Sequence, residues 1–444
     1  GQKEDYQDWE KLGAANWGYN QVLPFFRKLE TYSGGESQYR GGLGQLSVSD
    51  LRNNDPYCNA WVQAAQEFGL PLNKDFNSEN SFGVGAYQLS INKRWRSSSA
   101  DAFLKPAIRR PNLTVKTNCH TTRILFEDKR AIGVEWLENG KTNQATSTCE
   151  IILAAGALQS PQILQLSGIG PHKLLEKHNI PLVVDAQEVG QNLQDHYQMR
   201  TILKLKKKKS LNNQIRNPLR LAQWGLQWIL NGSGPLTVGA GQVGGGACTK
   251  FAKNGRPDVQ FNVMPLSVDK PGMPLHKYAG FTASVWQCHP ESRGSLEITS
   301  TNPLEQPEIK PNYFSVKKDR DVIVEGVKML REIANQPSFR DLWDVEVLPG
   351  LESNTDDQIW RQVRDNGGTV FHSVGTCRMG NDSSSVVDPE LKVRGVTGLR
   401  VIDASIMPSI TSANTNAPTL MIAEKGAALV LGQSPKNSGE GYLG

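Results

Sequence analysis

Two polar side chains near the end of the chain carry the strongest chemical signal. They are His372, in Thr-Val-Phe-His-Ser-Val-Gly-Thr-Cys-Arg-Met-Gly, and Asn414, in Ile-Thr-Ser-Ala-Asn-Thr-Asn-Ala-Pro-Thr. A free imidazole titrates at about 6.5, so it can accept a hydroxyl proton near neutrality without much tuning. An alcohol that loses this proton can be oxidised if a hydride acceptor faces the same carbon. Each residue also has a plainer reading: His372 as a structural histidine, and Asn414 and Asn416 as caps on the helix that follows.

The elements around them must place these side chains. Asn416-Ala-Pro-Thr-Leu-Met-Ile-Ala-Glu-Lys-Gly-Ala-Ala-Leu-Val-Leu431 reads as a helix opened by Asn and Pro and closed by Gly432. Its N-terminus offers free backbone N–H groups and partial positive charge. The apolar run Ile151–Ala155 reads as a buried parallel strand with Gly156 at its carboxyl end, where open α/β sheets bind ligands. Ser160-Pro161 then suggests a helix start, with Ser as cap and Pro at the first helical position. Leu399-Arg-Val-Ile-Asp403 is a second short strand ending in an acid, and Asp403 either holds the adjoining loop or caps a turn.

Elsewhere, helices are expected before Gly34-Gly35 and over Pro56–Phe68, and again from Arg94 to Leu104 with caps among Ser97–Ser99. Alternation predicts strands at Asn112–Asn118, Arg123–Glu127 and Ala131–Trp136. From about 191 to 391, strands such as Asp258–Val263, Phe281–Trp286 and Ser295–Thr299 alternate with long loops, which suggests an antiparallel sheet. Gly239-Ala-Gly-Gln-Val-Gly244 matches Gly-x-Gly-x-x-Gly by letter, but neither a clear strand before it nor a helix after it supports phosphate binding.

At 444 residues and 48.9 kDa the chain fits two interleaved domains. A formal charge of +5 does not imply nucleic acid, because the dense basic run Lys204–Lys209 has no interleaved aromatics and reads as a solvated loop. Leu219–Leu230 reads as an amphipathic helix packed on its own protein rather than as a membrane anchor, which leaves a cytoplasmic or peripheral membrane location. The six cysteines lack Cys-x-x-Cys spacing and the seven histidines lack ligand spacing, so neither a disulfide scaffold nor a metal site is expected, and a reducing compartment is preferred.

Together with Gly156-Ala-Leu-Gln-Ser-Pro-Gln-Ile-Leu-Gln-Leu-Ser-Gly-Ile-Gly170, the two C-terminal motifs resemble the glucose-methanol-choline (GMC) family of flavin-dependent alcohol oxidoreductases, near its choline-dehydrogenase-like branch. The resemblance implies an α/β fold: an FAD-binding Rossmann-like domain interleaved with an α+β substrate domain built on an antiparallel sheet. The expected division is 1–41 connecting segment, 42–106 and 191–391 substrate domain, 107–190 and 392–432 FAD-binding domain, and 433–444 tail. It implies His372 as catalytic base and Asn414 as its partner, with FAD as cofactor and a small-molecule alcohol as substrate. It also implies FAD contacts near Thr121, Gly156, Asp403, Ala404 and Asn416. Asp195 and His196, in Val-Gly-Gln-Asn-Leu-Gln-Asp-His, read as structural. A nonpolar primary alcohol is preferred over choline on the strength of Leu219–Leu230, and oxygen and quinone stay open as electron acceptors.

The family's first Gly-x-Gly-x-x-Gly turn is not among these residues. This chain is therefore expected to hold FAD weakly by itself and to associate with a complementary N-terminal segment. Three rivals remain: a flavin-free binding protein, a photodecarboxylase and a hydroxynitrile lyase. His372 favours alcohol oxidation, since the photodecarboxylase-like branch departs from His at that position.

Overall fold

A computed structural model describes residues 1–207, 209–237, 239, 241–270 and 272–433. The largest sheet has six strands, all of them antiparallel. Its main path runs Val243–Ala247, Val259–Met264, Gly280–Gln287, Tyr197–Leu205 and Trp343–Leu348, and Gly368–Thr369 adds to the end of Tyr197–Leu205. Every residue of Gly280–Gln287 is buried, as expected of a central strand covered on both faces. The helix Lys317–Ala334 packs on this sheet. Gly326 allows the close approach, because a Cβ there would lie 2.8 Å from Val285 Cγ2. Trp61, on helix Pro56–Glu67, fills the core between Phe281 and Phe339, with ring centroids at 5.5 and 5.2 Å.

A second core gathers Trp9, Trp17, Leu164, Val401, Ile406 and Met421. Its sheets are small: Ile151–Leu153 pairs in parallel with Leu399–Val401, and Cys119–Glu127, Arg130–Glu138 and Lys141–Thr146 form a meander. Their carboxyl ends lead into the helix Gly156–Leu166 and the turn Ala404–Ile406. The chain start is tied to both regions through Asp5, which accepts from Arg256 at 2.6 Å and from Ser412 Oγ at 2.7 Å. His289 Nε2 lies 3.1 Å from the same carboxylate. These hydrogen bonds and charges hold the Asp5 carboxyl far below its ordinary range although burial opposes ionisation.

Several sequence expectations need correction. The helix after Ile151–Leu153 starts at Gly156, five residues before Pro161, because Gly156 adopts φ +84° and turns the chain at once. Pro161 therefore sits inside the helix. The Ala157 carbonyl that it cannot serve accepts from Thr376 Oγ1 at 2.6 Å instead. Ile152 is 46% exposed, so the strand is buried on one face only.

Residues 112–118 form no strand despite their alternation, and pairing begins at Cys119. Arg94–Leu104 contains the short strand Trp95–Arg96 and a π-helical turn, Ala100–Leu104, whose entry is braced by Ser98 and Asp101. The Gly-x-Gly-x-x-Gly match, whose Ala240 lies outside the described residues, leads into an edge strand of the large sheet. Its last glycine, Gly244, lies in that strand, where a Cβ would be 2.2 Å from the Phe261 carbonyl oxygen, so this glycine lets a backbone approach closely rather than cradle phosphate. Leu219–Leu230 does form a helix, Pro218–Asn231, but Trp224 is its only buried residue. The lysines of the basic run are exposed where they are described, but Lys204 and the buried Leu205 belong to the strand Tyr197–Leu205 and not to a loop, and Lys208 and the tail from 434 lie outside the described residues.

Replacing Trp61 by Ala should cost about 3–5 kcal/mol through the cavity it leaves. Trp61→Phe should cost much less, because the indole N–H has no hydrogen-bond partner among the described residues. Urea midpoints of the two variants check the ordering.

Candidate active site

The His372 loop is fixed by hydrogen bonds to two neighbours. Val374 and Gln194 exchange backbone bonds at 2.9 and 3.0 Å, while Gly375, Cys377 and Met379 donate to the carbonyls of Ala404, Ser405 and Ile406. Glycine is required at 375, where φ is +93° and a Cβ would lie 2.6 Å from the Asn192 carbonyl oxygen. Asp195 anchors the loop's tip: one oxygen accepts from the His372 N–H at 2.8 Å, and the other accepts from Tyr313 Oη at 2.5 Å and from Thr369 Oγ1. Burial pushes the Asp195 carboxyl up, while these donors oppose the shift. Phe371, beside His372, is 74% exposed and held at φ +63°, a costly backbone conformation for a bulky residue.

The structure brings His372 and Asn414 together, with Asn414 Nδ2 3.1 Å from His372 Nε2. Asn414 is not a helix cap. Thr415 occupies that position without a side-chain cap bond, and Asn416 is the first helical residue. The loop before Asn414 is held by Gln194, whose amide oxygen accepts from Ile410 N at 3.0 Å, and by Asp5, which accepts from Ser412 N at 2.9 Å. The helix Asn416–Val430 leaves Asn416 and Ala417 exposed at its positive end.

His196, read from sequence as structural, lies against His372: their Nδ1 atoms are 2.9 Å apart and their rings are nearly perpendicular, at 83°. The other nitrogen of His196, Nε2, is 3.0 Å from the Cys288 carbonyl oxygen. A carbonyl only accepts, so His196 Nε2 carries a proton. Burial, reinforced by His372, holds His196 well below 6.5 and hence neutral, which leaves Nδ1 as a lone pair. His372 must then donate from Nδ1. Its own Nε2 keeps a lone pair, which accepts from Asn414 Nδ2. Burial lowers His372 to about 4, so this neutral tautomer holds at pH 7.

Asp403 both holds a loop and caps a turn. One oxygen accepts from Gly156 N at 2.9 Å and Ser160 Oγ at 2.5 Å, and the other accepts from Ser405 N at 2.7 Å. It thereby joins the carboxyl ends of the two parallel strands. Gly156 borders a cleft of about 360 Å³ that also meets Leu193, Asp195, Ile309, Tyr313 and Phe371. Ala404 lies in the turn that carries the His372 loop. Thr121 stands apart from this cluster on the meander, whose Ile124 N–H donates to Ser167 Oγ on the segment just after the Gly156–Leu166 helix. The sequence signal for His196 was its place beside Asp195 in a family-like segment, but its partners, 92 and 176 residues away, leave no local trace.

Family models described as GMC oxidoreductase match residues 1–198 and 290–423. The chain is 38% identical to an alcohol dehydrogenase [acceptor] of Pseudomonas putida, over 97% of its own length and 78% of that protein's. Identity is also 38% to an oxygen-dependent choline dehydrogenase of Escherichia coli K12, with the same shares covered. Among solved structures, pyridoxine 4-oxidase from Mesorbium loti is similar at TM-score 0.87 and 26% identity, over 98% of this chain and 81% of that one. An FAD-dependent oxidoreductase from Chaetomium thermophilum is similar at TM-score 0.88 and 28% identity, over 97% and 83%. With paired GMC models spanning most of its length and relatives of this identity and coverage, the chain belongs to the GMC oxidoreductase family.

Proposed function

We propose that this oxidoreductase converts an alcohol to an aldehyde, with His372 Nε2 taking the hydroxyl proton and Asn414 orienting the oxygen. The observation that carries this reading is the tautomer: the hydrogen-bond chain from Cys288 through His196 leaves the lone pair of His372 beside Asn414. His196 acts as a positioning residue. A neutral base of this kind contributes roughly 10²–10⁴-fold to rate.

The cofactor is FAD, which supplies the hydride acceptor when bound. The residues present fit such a group. Space next to Gly156 is open, with no atom within 4 Å of where its Cβ would be, and the exposed first turn of Asn416–Val430 presents backbone N–H groups suited to an anion. Gly156, Ala404 and Asn416 would hold the phosphates and flavin, with Asp403 fixing Gly156 and the backbone near Thr121 serving the adenine end.

A nonpolar primary alcohol remains the preferred substrate class, now for a different reason than the Leu219–Leu230 helix. The carboxylate that meets the His372 loop, that of Asp195, is already engaged by three donors. A quaternary ammonium would find that carboxylate taken. Flavin bleaching under anaerobic conditions, measured with primary alkanols and with choline, tests this. Faster bleaching by choline would overturn the substrate class.

In the FAD-loaded enzyme, His372→Ala should lower kcat by roughly 10²–10⁴ while flavin absorbance is retained. An unchanged rate removes His372 from the chemistry. Asn414→Ala should likewise reduce kcat/KM with little change in Tm, because Asn414 caps no helix; a Tm loss at full activity would return it to a structural role.

His196→Phe should lower kcat/KM by up to the same ~10²–10⁴, since it removes the acceptor for His372 Nδ1–H. His196→Gln, whose amide can both donate to Cys288 and accept from His372, should recover much of the loss. Equal rates for the two variants would show that packing alone matters.

The low proton affinity of His372 also sets the pH profile. Its base form is present above the folded value of about 4, so kcat/KM should fall only as pH drops well below 6.5. Unfolded imidazole binds its proton nearer 6.5, so stability too should decline as pH falls from there toward 4. An acid limb centred at 6.5 or above would contradict a buried base.

A further inference from the structure

The helix Pro218–Asn231 has apolar residues on two faces but buries only one. Trp224 points into the protein, and Trp228 packs edge-on against Trp95 at 4.9 Å while donating from Nε1 to the Arg94 carbonyl. On the opposite side, Leu219, Ala222, Leu226, Ile229 and Leu230 recur at helical spacing and all are exposed, Leu219 at 81% and Leu230 at 66%. Trp95, on the neighbouring hairpin at the helix end, is 64% exposed beside Trp228. Isolated exposed leucines are ordinary, but a continuous stripe with an aromatic edge marks an interaction surface.

Cations stand at both ends of the stripe. Arg216 and Arg220 lie at the helix start, and Lys93, Arg94 and Arg96 lie on the hairpin at its end. The hydrogen bonds of Arg216, Arg220 and Arg94 go to backbone carbonyls and a glutamine amide rather than to carboxylates. Between residues 196 and 257 the sequence has eleven Lys and Arg and no Asp or Glu.

We propose that this face docks on an anionic lipid bilayer, with the helix lying in the headgroup plane and the flanking cations on lipid phosphates. Leu, Ile and Trp toward the acyl region with Arg and Lys beside them is the pattern of an interfacial helix. A second copy of the chain fits less well, because a twofold pairing through this stripe would bring the two sets of cations together. No helix among the described residues is long and apolar enough to cross a membrane, so the contact is peripheral.

Flotation of the purified protein with vesicles decides the matter, using phosphatidylcholine alone and phosphatidylcholine mixed with phosphatidylglycerol. The wild type should float with the anionic vesicles and bind neutral ones about tenfold less or weaker still. Raising salt should release it. Leu226→Glu with Ile229→Glu should abolish flotation. Arg216→Gln with Arg220→Gln should erase the preference for phosphatidylglycerol, and all four sites are exposed, so an unchanged Tm verifies the fold. Absence of flotation by the wild type, or flotation unaffected by both double variants, overturns the proposal. So does a concentration-dependent dimer in sedimentation that the Leu226→Glu, Ile229→Glu variant abolishes, which would assign the face to a second copy.

Discussion

The arrangement around His372 depends on one carboxylate. Asp195 receives the backbone N–H of His372 and the hydroxyl of Thr369 from one loop and the phenol of Tyr313 from a distant segment. Removing it from water is unfavourable, and these donors offset that cost only if all three arrive together. The geometry is therefore all or none: the loop that carries the imidazole is in place when the strand ends around it are in place. Phe371, forced to a positive φ one residue earlier, shows that the loop's shape is imposed by such contacts rather than by local preference.

Similar devices join separate segments around the second core. Asp403 closes one side by linking Gly156 and Ser160 to its own turn. Thr376 closes another by serving the carbonyl that Pro161 leaves free. Asp5, near the start of the sequence, and Gln194, near its middle, both hold the segment before Asn414. These side chains do little for either core. They fix the orientation of segments that already have apolar anchors such as Val374 and Ile410.

What could be read from the sequence follows from the range of the forces involved. His372, Asn414 and Gly156 sit in contiguous motifs, and periodicity located Pro56–Glu67 and the central strands, because local geometry dictates both. His196 was visible as a residue but not as a member of the pair, since its role is set by Cys288 and His372 from distant segments. Residues 112–118 alternate like a strand yet lack a partner, and alternation supplies a face without supplying a neighbour. Leu219–Leu230 fails differently: helical spacing marks an apolar face but carries nothing about what covers it, and here only the Trp224 side is turned inward.

The chain of imidazoles ends at the Cys288 carbonyl, which can receive a hydrogen bond but cannot take up a proton. It is a cul-de-sac rather than a wire. With His372 in the role proposed for it, a proton taken at Nε2 could not be forwarded into the interior and would have to depart by the side from which it came. Under that proposal, clearing the site after each turnover would be tied to water or a carrier reaching that one nitrogen.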